Sequence, residues 1–195
     1  MLIIIGAGGT GKSYLINAIK SLLQHSCAVT ATTGKAAFNI HMYVIYGCTI
    51  HSLLKLPVGV KGNKDLTGQN LVKLQNTLKN ISYIIIDEYS MQGQKMFAWV
   101  DKRCRQATGL TNQLFGGKSI ILVGDPAQLP PVGDKPLYHS KPSSSLQQQG
   151  HLAYFMFNTV VKLTTNQRVK GSTPEQIRFR ELLNRLRTGD CTQDD

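Results

Sequence analysis

The chain opens on Leu2-Ile3-Ile4-Ile5 and passes directly into Gly6-Ala7-Gly8-Gly9-Thr10-Gly11-Lys12-Ser13. Leu15, Ile16, Ile19, Leu22 and Leu23 then recur at helical spacing over residues 14–24. A buried strand, a loop of the form G-x-x-x-x-G-K-[ST] and a helix, in that order, are the context a phosphate-binding loop requires. Glycine lets backbone N–H groups turn inward around phosphate oxygens. The helix start near Gly11 adds its positive end to the same anion site. Lys12 is then placed to reach the β- and γ-phosphates of a nucleoside triphosphate, and Ser13 to offer its hydroxyl to Mg²⁺. An ordinary glycine-rich turn is the competing explanation; the strand before it and the helix after it weigh against that.

Downstream, Cys27 to Ala31, Ser82 to Ile86 and Ser119 to Val123 read as short buried strands. A helix is predicted over 69–79 with Leu71, Leu74 and Leu78 inward. Another carries Met96, Phe97, Val100 and Cys104, with Lys102, Arg103 and Arg105 on its outer side. Strands alternating with helices predict an α/β fold, a parallel sheet covered on both faces. The glycine-rich stretch 53–70 reads as an exposed insertion, and 141–150, dominated by Ser and Gln, as a linker-like loop. A last strand is predicted at Val160 to Leu163. A last helix follows over 175–187, with Phe179, Leu182, Leu183 and Leu186 facing in and Arg178, Arg185 and Arg187 outside. Length favours one full domain over 1–157, and 158–195 then reads as the cut-off start of a second, because a lone strand and helix cannot bury a core.

A phosphate loop works with a carboxylate at the end of a neighbouring strand. Asp87 occupies that place after Tyr83-Ile84-Ile85-Ile86 and is the expected Mg²⁺ ligand. Glu88 follows it and is placed to orient or deprotonate a water attacking the γ-phosphate. A small-molecule kinase needs no such base. A GTPase needs an N-K-x-D base reader, which Asn63-Lys64-Asp65-Leu66 misses in spacing and in order. ATP hydrolysis is therefore the expected chemistry. Gln128, in Gly124-Asp125-Pro126-Ala127-Gln128-Leu129-Pro130-Pro131-Val132, is within reach of a γ-phosphate from the end of the fourth strand; on the residues alone, a stiff proline turn explains the segment equally well.

Lys and Arg number 22 against 11 Asp and Glu, a formal charge of +11. That excess favours a polyanionic partner, nucleic acid before a membrane surface. Cys27, Cys48, Cys104 and Cys191 form no C-x-x-C pair, so no disulfide is expected and a reducing compartment fits. Cys48 and His51 lack companions for a metal site. The N-terminal apolar run is too short for a signal core or a membrane helix. A soluble, intracellular protein is expected.

Gly6 to Ser13, Thr30-Ala31-Thr32-Thr33-Gly34-Lys35-Ala36-Ala37, Gly47-Cys48-Thr49-Ile50-His51-Ser52, Ile85-Ile86-Asp87-Glu88-Tyr89-Ser90-Met91 and Gly124 to Val132 occur in one order. That series resembles the PIF/RecD-like DNA helicases of superfamily one, and its wording is most similar to the PIF-like helicases of Helitron-type transposons. Phe115-Gly116-Gly117 resembles the end of a segment particular to the PIF branch. The resemblance implies a P-loop NTPase with a RecA-like sheet, completed by a second RecA-like domain, with ATP between the two and single-stranded DNA, or a single-strand/duplex junction, across their top. It implies roles for Gly6, Ala7, Gly8, Gly9, Thr10, Gly11, Lys12 and Ser13 around the phosphates. Asp87 and Ser13 would hold Mg²⁺, Glu88 would activate water and Gln128 would sense the γ-phosphate. Arg168, in Leu163-Thr164-Thr165-Asn166-Gln167-Arg168-Val169, matches an arginine finger, with a structural arginine as the alternative. Thr32, Gly34, Lys35 and His51 fall in motifs that lie along or near the DNA strand; a solvated Lys35 and a core His51 remain the alternatives.

The family's adenine-reading glutamine segment would precede the first strand, whereas this chain begins at that strand, and further motifs would follow in the second domain. The resemblance implies an ATP-dependent DNA helicase, a monomer, at work in repair, recombination or telomere maintenance in the nucleus or mitochondrion. The rival is a partial transposon-derived module that binds ATP or DNA without motor activity.

Overall fold

The computed structural model describes residues 1–41, 47–57, 65–167 and 173–192. Its strands are β1 (Leu2–Gly6), β2 (Cys27–Ala31), β3 (Cys48–Thr49), β4 (Tyr83–Asp87), β5 (Ser119–Gly124) and β6 (Thr159–Leu163). Its helices are α1 (Lys12–Leu23), α2 (Gly34–His41), α3 (Ile50–Leu54), α4 (Gly68–Leu78), α5 (Gln94–Thr108), α6 (Ser145–Phe155) and α7 (Pro174–Thr188). The strands form one parallel sheet in the order β3-β2-β4-β5-β1-β6.

Side chains alternate across the pleat and build a core on each face. Ile3, Ile84, Ile86, Ile120 and Leu122 point to the side covered by α3–α6, where Phe97, Phe115 and Phe157 pack ring against ring. Ile4, Val29, Ile85, Ile121 and Val123 point to the side of α1 and α2 and meet Ile16. Burial on both faces explains why these strands read as continuous apolar runs rather than as alternating patterns. The carboxyl ends of all strands share one edge, where ligands of open α/β sheets bind.

Several expectations are corrected. The Ser/Gln-rich 141–150 stretch is not a linker, since α6 begins inside it and packs on α5. Ser144 accepts a hydrogen bond from Gln147 N at 3.3 Å, while Gln147 Oε1 accepts one from Ser143 N at 2.8 Å, a reciprocal cap on the helix start. Gly150 lets the two helices meet, because a Cβ there would lie 1.8 Å from the Gln94 carbonyl oxygen. The 53–70 stretch is not wholly exposed: Leu54 and Leu56 are core residues, and residues 58–64 lie outside the described ones. Arg103 is buried rather than outward, lying over the Trp99 ring and donating to Gln106 Oε1 at 2.6 Å.

The boundary expected at 157/158 places the last strand in a second unit. Instead β6 pairs with β1 from Leu2↔Thr159 to Gly6↔Leu163 and forms the edge of this sheet. Helix α7 does follow, yet none of its residues is buried, so Phe179, Leu183 and Leu186 do not face a core within the described residues.

Candidate nucleotide site and adjoining groove

The phosphate loop leaves the carboxyl end of β1 and turns into α1 through Gly9 and Gly11, at φ 83° and 91°, where a Cβ would be strained. Gly6 is constrained by space as well. A Cβ on it would lie 2.4 Å from Thr10 Oγ1 and 3.0 Å from Leu163 Cβ. Thr10 is buried and donates to the Ala7 carbonyl at 2.8 Å, which closes the loop on itself. Lys12 Nζ donates to the carbonyls of Gly6 (2.7 Å) and Ala7 (3.0 Å), so the ammonium lies over the loop that the sequence assigns to phosphate.

Two strands away across the sheet, β4 ends at Asp87, which is 8% exposed. Burial pushes its carboxyl up to about 6; a hydrogen bond from Glu88 N to Oδ1 (2.9 Å) and the nearby Lys12 charge pull the other way, while the Glu88 charge adds to the rise. Glu88 stands in the left-handed region at φ 55°, ψ 40°, a conformation rare for a residue with a Cβ. Its carbonyl accepts from Thr32 Oγ1 at 3.0 Å and from Met91 N at 3.2 Å.

Ala127 and Gln128 follow β5 in a turn organised by Asp125, whose side chain is 3% exposed. Asp125 Oδ1 accepts from Ala127 N at 3.1 Å, and its carbonyl accepts from Gln128 N at 3.0 Å. Gln128 is exposed and belongs to two hollows. One, of about 770 Å³, runs between Ala7, Gly8 and Thr10 and helix α7. The other, of about 480 Å³, joins Gln128 to Glu88. The structure thus gathers the phosphate loop, Asp87, Glu88 and Gln128 at one edge of the sheet.

Helix α7 closes the far side of the cleft. Arg187 Nη2 donates to Asp125 Oδ1 at 2.6 Å, and Gln167 N donates to Gly9 O at 2.7 Å. Neither tie was read from the sequence, in which Asp125 is only part of a proline-rich turn and Arg187 an outward cation. Arg168 lies outside the described residues.

A separate groove of about 760 Å³ runs past Thr32, Thr33, His51, Met91 and Trp99. Burial lowers the pKa of the half-buried His51. Gly34 and Lys35 begin α2 and are exposed; they do not line this groove. All four cysteines are free thiols, and among the described residues no helix is long and apolar enough to cross a membrane.

Comparison with known proteins places this architecture. The PIF1-like helicase family matches residues 1–195. The ATP-dependent DNA helicase PIF1 of Saccharomyces cerevisiae is 32% identical over 194 residues, covering 94% of this chain and 21% of the relative. The PIF1 of Trypanosoma brucei brucei is 36% identical over 143 residues, covering 72% of this chain and 14% of the relative. The Pif1 of Bdellovibrio bacteriovorus is 31% identical over 193 residues, covering 96% and 40%. The chain therefore spans well under half the length of these relatives. Among solved structures, Pif1 helicase from Candida albicans superposes with a TM-score of 0.69 at 29% identity, over 99% of this chain and 42% of that one. A Pif1 chain described in the context of DNA unwinding at forked duplex DNA superposes with a TM-score of 0.72 at 25% identity, over 99% and 45%. With its whole length matched, and with a RecA-like parallel sheet carrying a phosphate loop at one edge, the chain belongs to the PIF1-like helicase family.

Proposed function

We propose that this chain is the ATP-hydrolysing part of a DNA helicase, binding ATP at Gly6–Ser13 and coupling its hydrolysis to movement along single-stranded DNA and to unwinding. The observation that carries this reading is the convergence of the phosphate loop, the Asp87–Glu88 pair and the Gln128 turn on one edge of the sheet. The relatives' description as ATP-dependent DNA helicases supports it, as does a Bacteroides Pif1 crystallised with ADP-AlF3 and single-stranded DNA.

The chemistry follows from the residues. Loop N–H groups and the start of α1 receive the phosphates. Lys12 exchanges its bonds to the Gly6 and Ala7 carbonyls for phosphate oxygens. Glu88 takes the proton of a water whose oxygen bonds to the γ-phosphorus as the bond to the β–γ bridging oxygen breaks. Gln128 contacts the γ-phosphate. Arg168 would serve as the arginine finger, as the family resemblance implies.

Mg²⁺ is the implied cofactor, and the donor set suits it. Asp87 is a buried carboxylate whose ionised form is compensated only in part, by the Glu88 N–H and the Lys12 charge, and Ser13 adds a hydroxyl at the start of α1. Asp87 and Ser13 would hold Mg²⁺, which would supply positive charge to offset that of the phosphates. Single-stranded DNA would occupy the groove past Thr32 and His51, gripped through its backbone, with Gly34 and Lys35 beside it. The resemblance to transposon helicases, a monomeric state, and work in repair, recombination or telomere maintenance within the nucleus or mitochondrion extend the same proposal.

The test is steady-state ATP hydrolysis by the chain with and without single-stranded DNA, beside Lys12→Ala. Hydrolysis that DNA stimulates and Lys12→Ala abolishes is the expected result. Near-normal turnover by Lys12→Ala would overturn the site. Tight ATP binding with no turnover would establish the rival module.

A further inference from the structure

The last backbone pair of the β2–β4 ladder is Ala31↔Asp87, and Thr32 N extends it by donating to Asp87 O at 3.3 Å. Beyond that point the two chains part, and a side chain takes over from the ladder. Thr32 Oγ1 donates to the Glu88 carbonyl at 3.0 Å. Glu88 is the residue that needs holding, since at φ 55° it occupies a region that L side chains rarely adopt. Two further bonds, from Glu88 N to Asp87 Oδ1 and from Met91 N to Glu88 O, come from its own segment. Thr32, one residue past the end of β2, reaches it from a different segment of the sheet. Thr32 also lines the groove that contains His51 and Met91.

We propose that Thr32 is a positioning residue for Glu88, and that through this bond single-stranded DNA in the groove sets the geometry of ATP hydrolysis. The inference rests on the reading of Glu88 as the base and of the groove as the DNA track. It also revises the part the sequence gives Thr32. DNA phosphates are acceptors, and a hydroxyl proton already given to the Glu88 carbonyl is not available to them. Thr32 thus senses the strand without gripping it.

Thr32→Val removes the donor and keeps the branched shape, and Thr32→Ser keeps the donor. In the full chain, Thr32→Val should lower kcat about tenfold at saturating ATP and oligothymidine, the weight of one hydrogen bond lost in the transition state. The KM for ATP and the Kd for a fluorescein-labelled oligothymidine should stay within about twofold, and Thr32→Ser should restore kcat. Amide hydrogen exchange without nucleotide should be faster at Glu88 in Thr32→Val than in the wild type. Weakened oligothymidine binding with kcat intact would make Thr32 a DNA contact and overturn the proposal, as would unchanged kcat. If the wild type fails to hydrolyse ATP, the helicase reading falls on its own. The exchange measurement then still decides: unchanged exchange at Glu88 overturns the clamp, and faster exchange upholds it.

Discussion

The two walls of the nucleotide cleft are built in different ways. The wall made by β1, β4 and β5 continues the sheet's core: Ile4, Ile85, Leu122 and Val123 sit beneath it, and every turn above is bonded to its own segment or to its neighbour. The wall made by α7 buries none of its residues and is tied across by the Arg187–Asp125 pair, with Gln167 N–Gly9 O just before the helix. Packing fixes the first wall before any ligand arrives, and few buried contacts leave the second with low local stability. A cleft of that kind keeps one side fixed by packing and lets the other side respond to what is bound.

The largest expected effect tests the rigid wall. Glu88→Gln removes the carboxylate proposed as the base and keeps its shape, so turnover should fall about 100-fold or more while ATP binding persists. Nucleotide titration beside single-turnover hydrolysis separates the two, and lost binding would mean that Glu88 shapes the site instead of serving as its base.

Next comes the packed body under that wall. Gly150→Ala drives a methyl into the Gln94 carbonyl, 1.8 Å from the ideal Cβ, and should destabilise by roughly 3 kcal/mol as α6 is pushed off α5. Thermal or denaturant unfolding measures it; a loss below about 0.5 kcal/mol would show that α6 does not belong to the body.

Asp87 sets stability and activity against each other. Its carboxyl is pushed up to about 6, above the ordinary aspartate value of 3.8, so the fold disfavours the ionised carboxylate. The carboxyl keeps its proton longer in the folded chain, and its contribution to stability falls as pH rises from about 4 through about 6. Asp87→Asn should therefore stabilise the chain by roughly 2 kcal/mol at neutral pH and flatten that part of the profile, while hydrolysis is lost. In the wild type, hydrolysis should fall as pH drops through about 6, and more Mg²⁺ should move the midpoint lower, because the cation binds the ionised form. A midpoint that ignores Mg²⁺ would sever Asp87 from the metal.

How much of this was legible in the sequence depends on what each segment buries. Cys27 to Ala31 and Tyr83 to Asp87 announced themselves because a strand buried on both faces must be apolar throughout. The placement of the phosphate loop and of the Asp87–Glu88 pair at the sheet edge was legible because each follows directly where an apolar run stops. Helix α6 was not, because its buried residues are Gln147, Gly150 and Ala153, which make no apolar stripe. The signal it did carry was the Ser144-x-x-Gln147 cap. Arg103 was misread by charge, although it lies three residues after the buried Val100 on the same helix. The ties of Thr32 to Glu88 and of Arg187 to Asp125 join positions 56 and 62 residues apart, and no local pattern encodes them.

The Arg187–Asp125 tie sharpens the comparison at smaller scale. Arg187 is 38% exposed and its partner 3%, so Arg187→Ala loses a screened attraction and leaves a buried carboxylate with one charged neighbour fewer. A loss of about 1 kcal/mol is expected, confined to exchange of the α7 and Ala127 amides. A global loss would mean that α7 is part of the core.

The smallest effect bears on the whole contrast. Leu186 is 58% exposed on the face that borders the cleft, beside Leu183 and Arg187. Leu186→Ser should change unfolding stability by less than about 0.5 kcal/mol, since a side chain that stays in water loses little when made polar. If the loss instead exceeds about 1 kcal/mol in the chain without ATP, α7 is packed against the phosphate-loop wall and both walls are rigid. If the loss appears only once ATP is added, the nucleotide itself draws α7 down. Linkage then requires Leu186→Ser to weaken ATP binding by the factor that matches the stability difference, so the two measurements check each other.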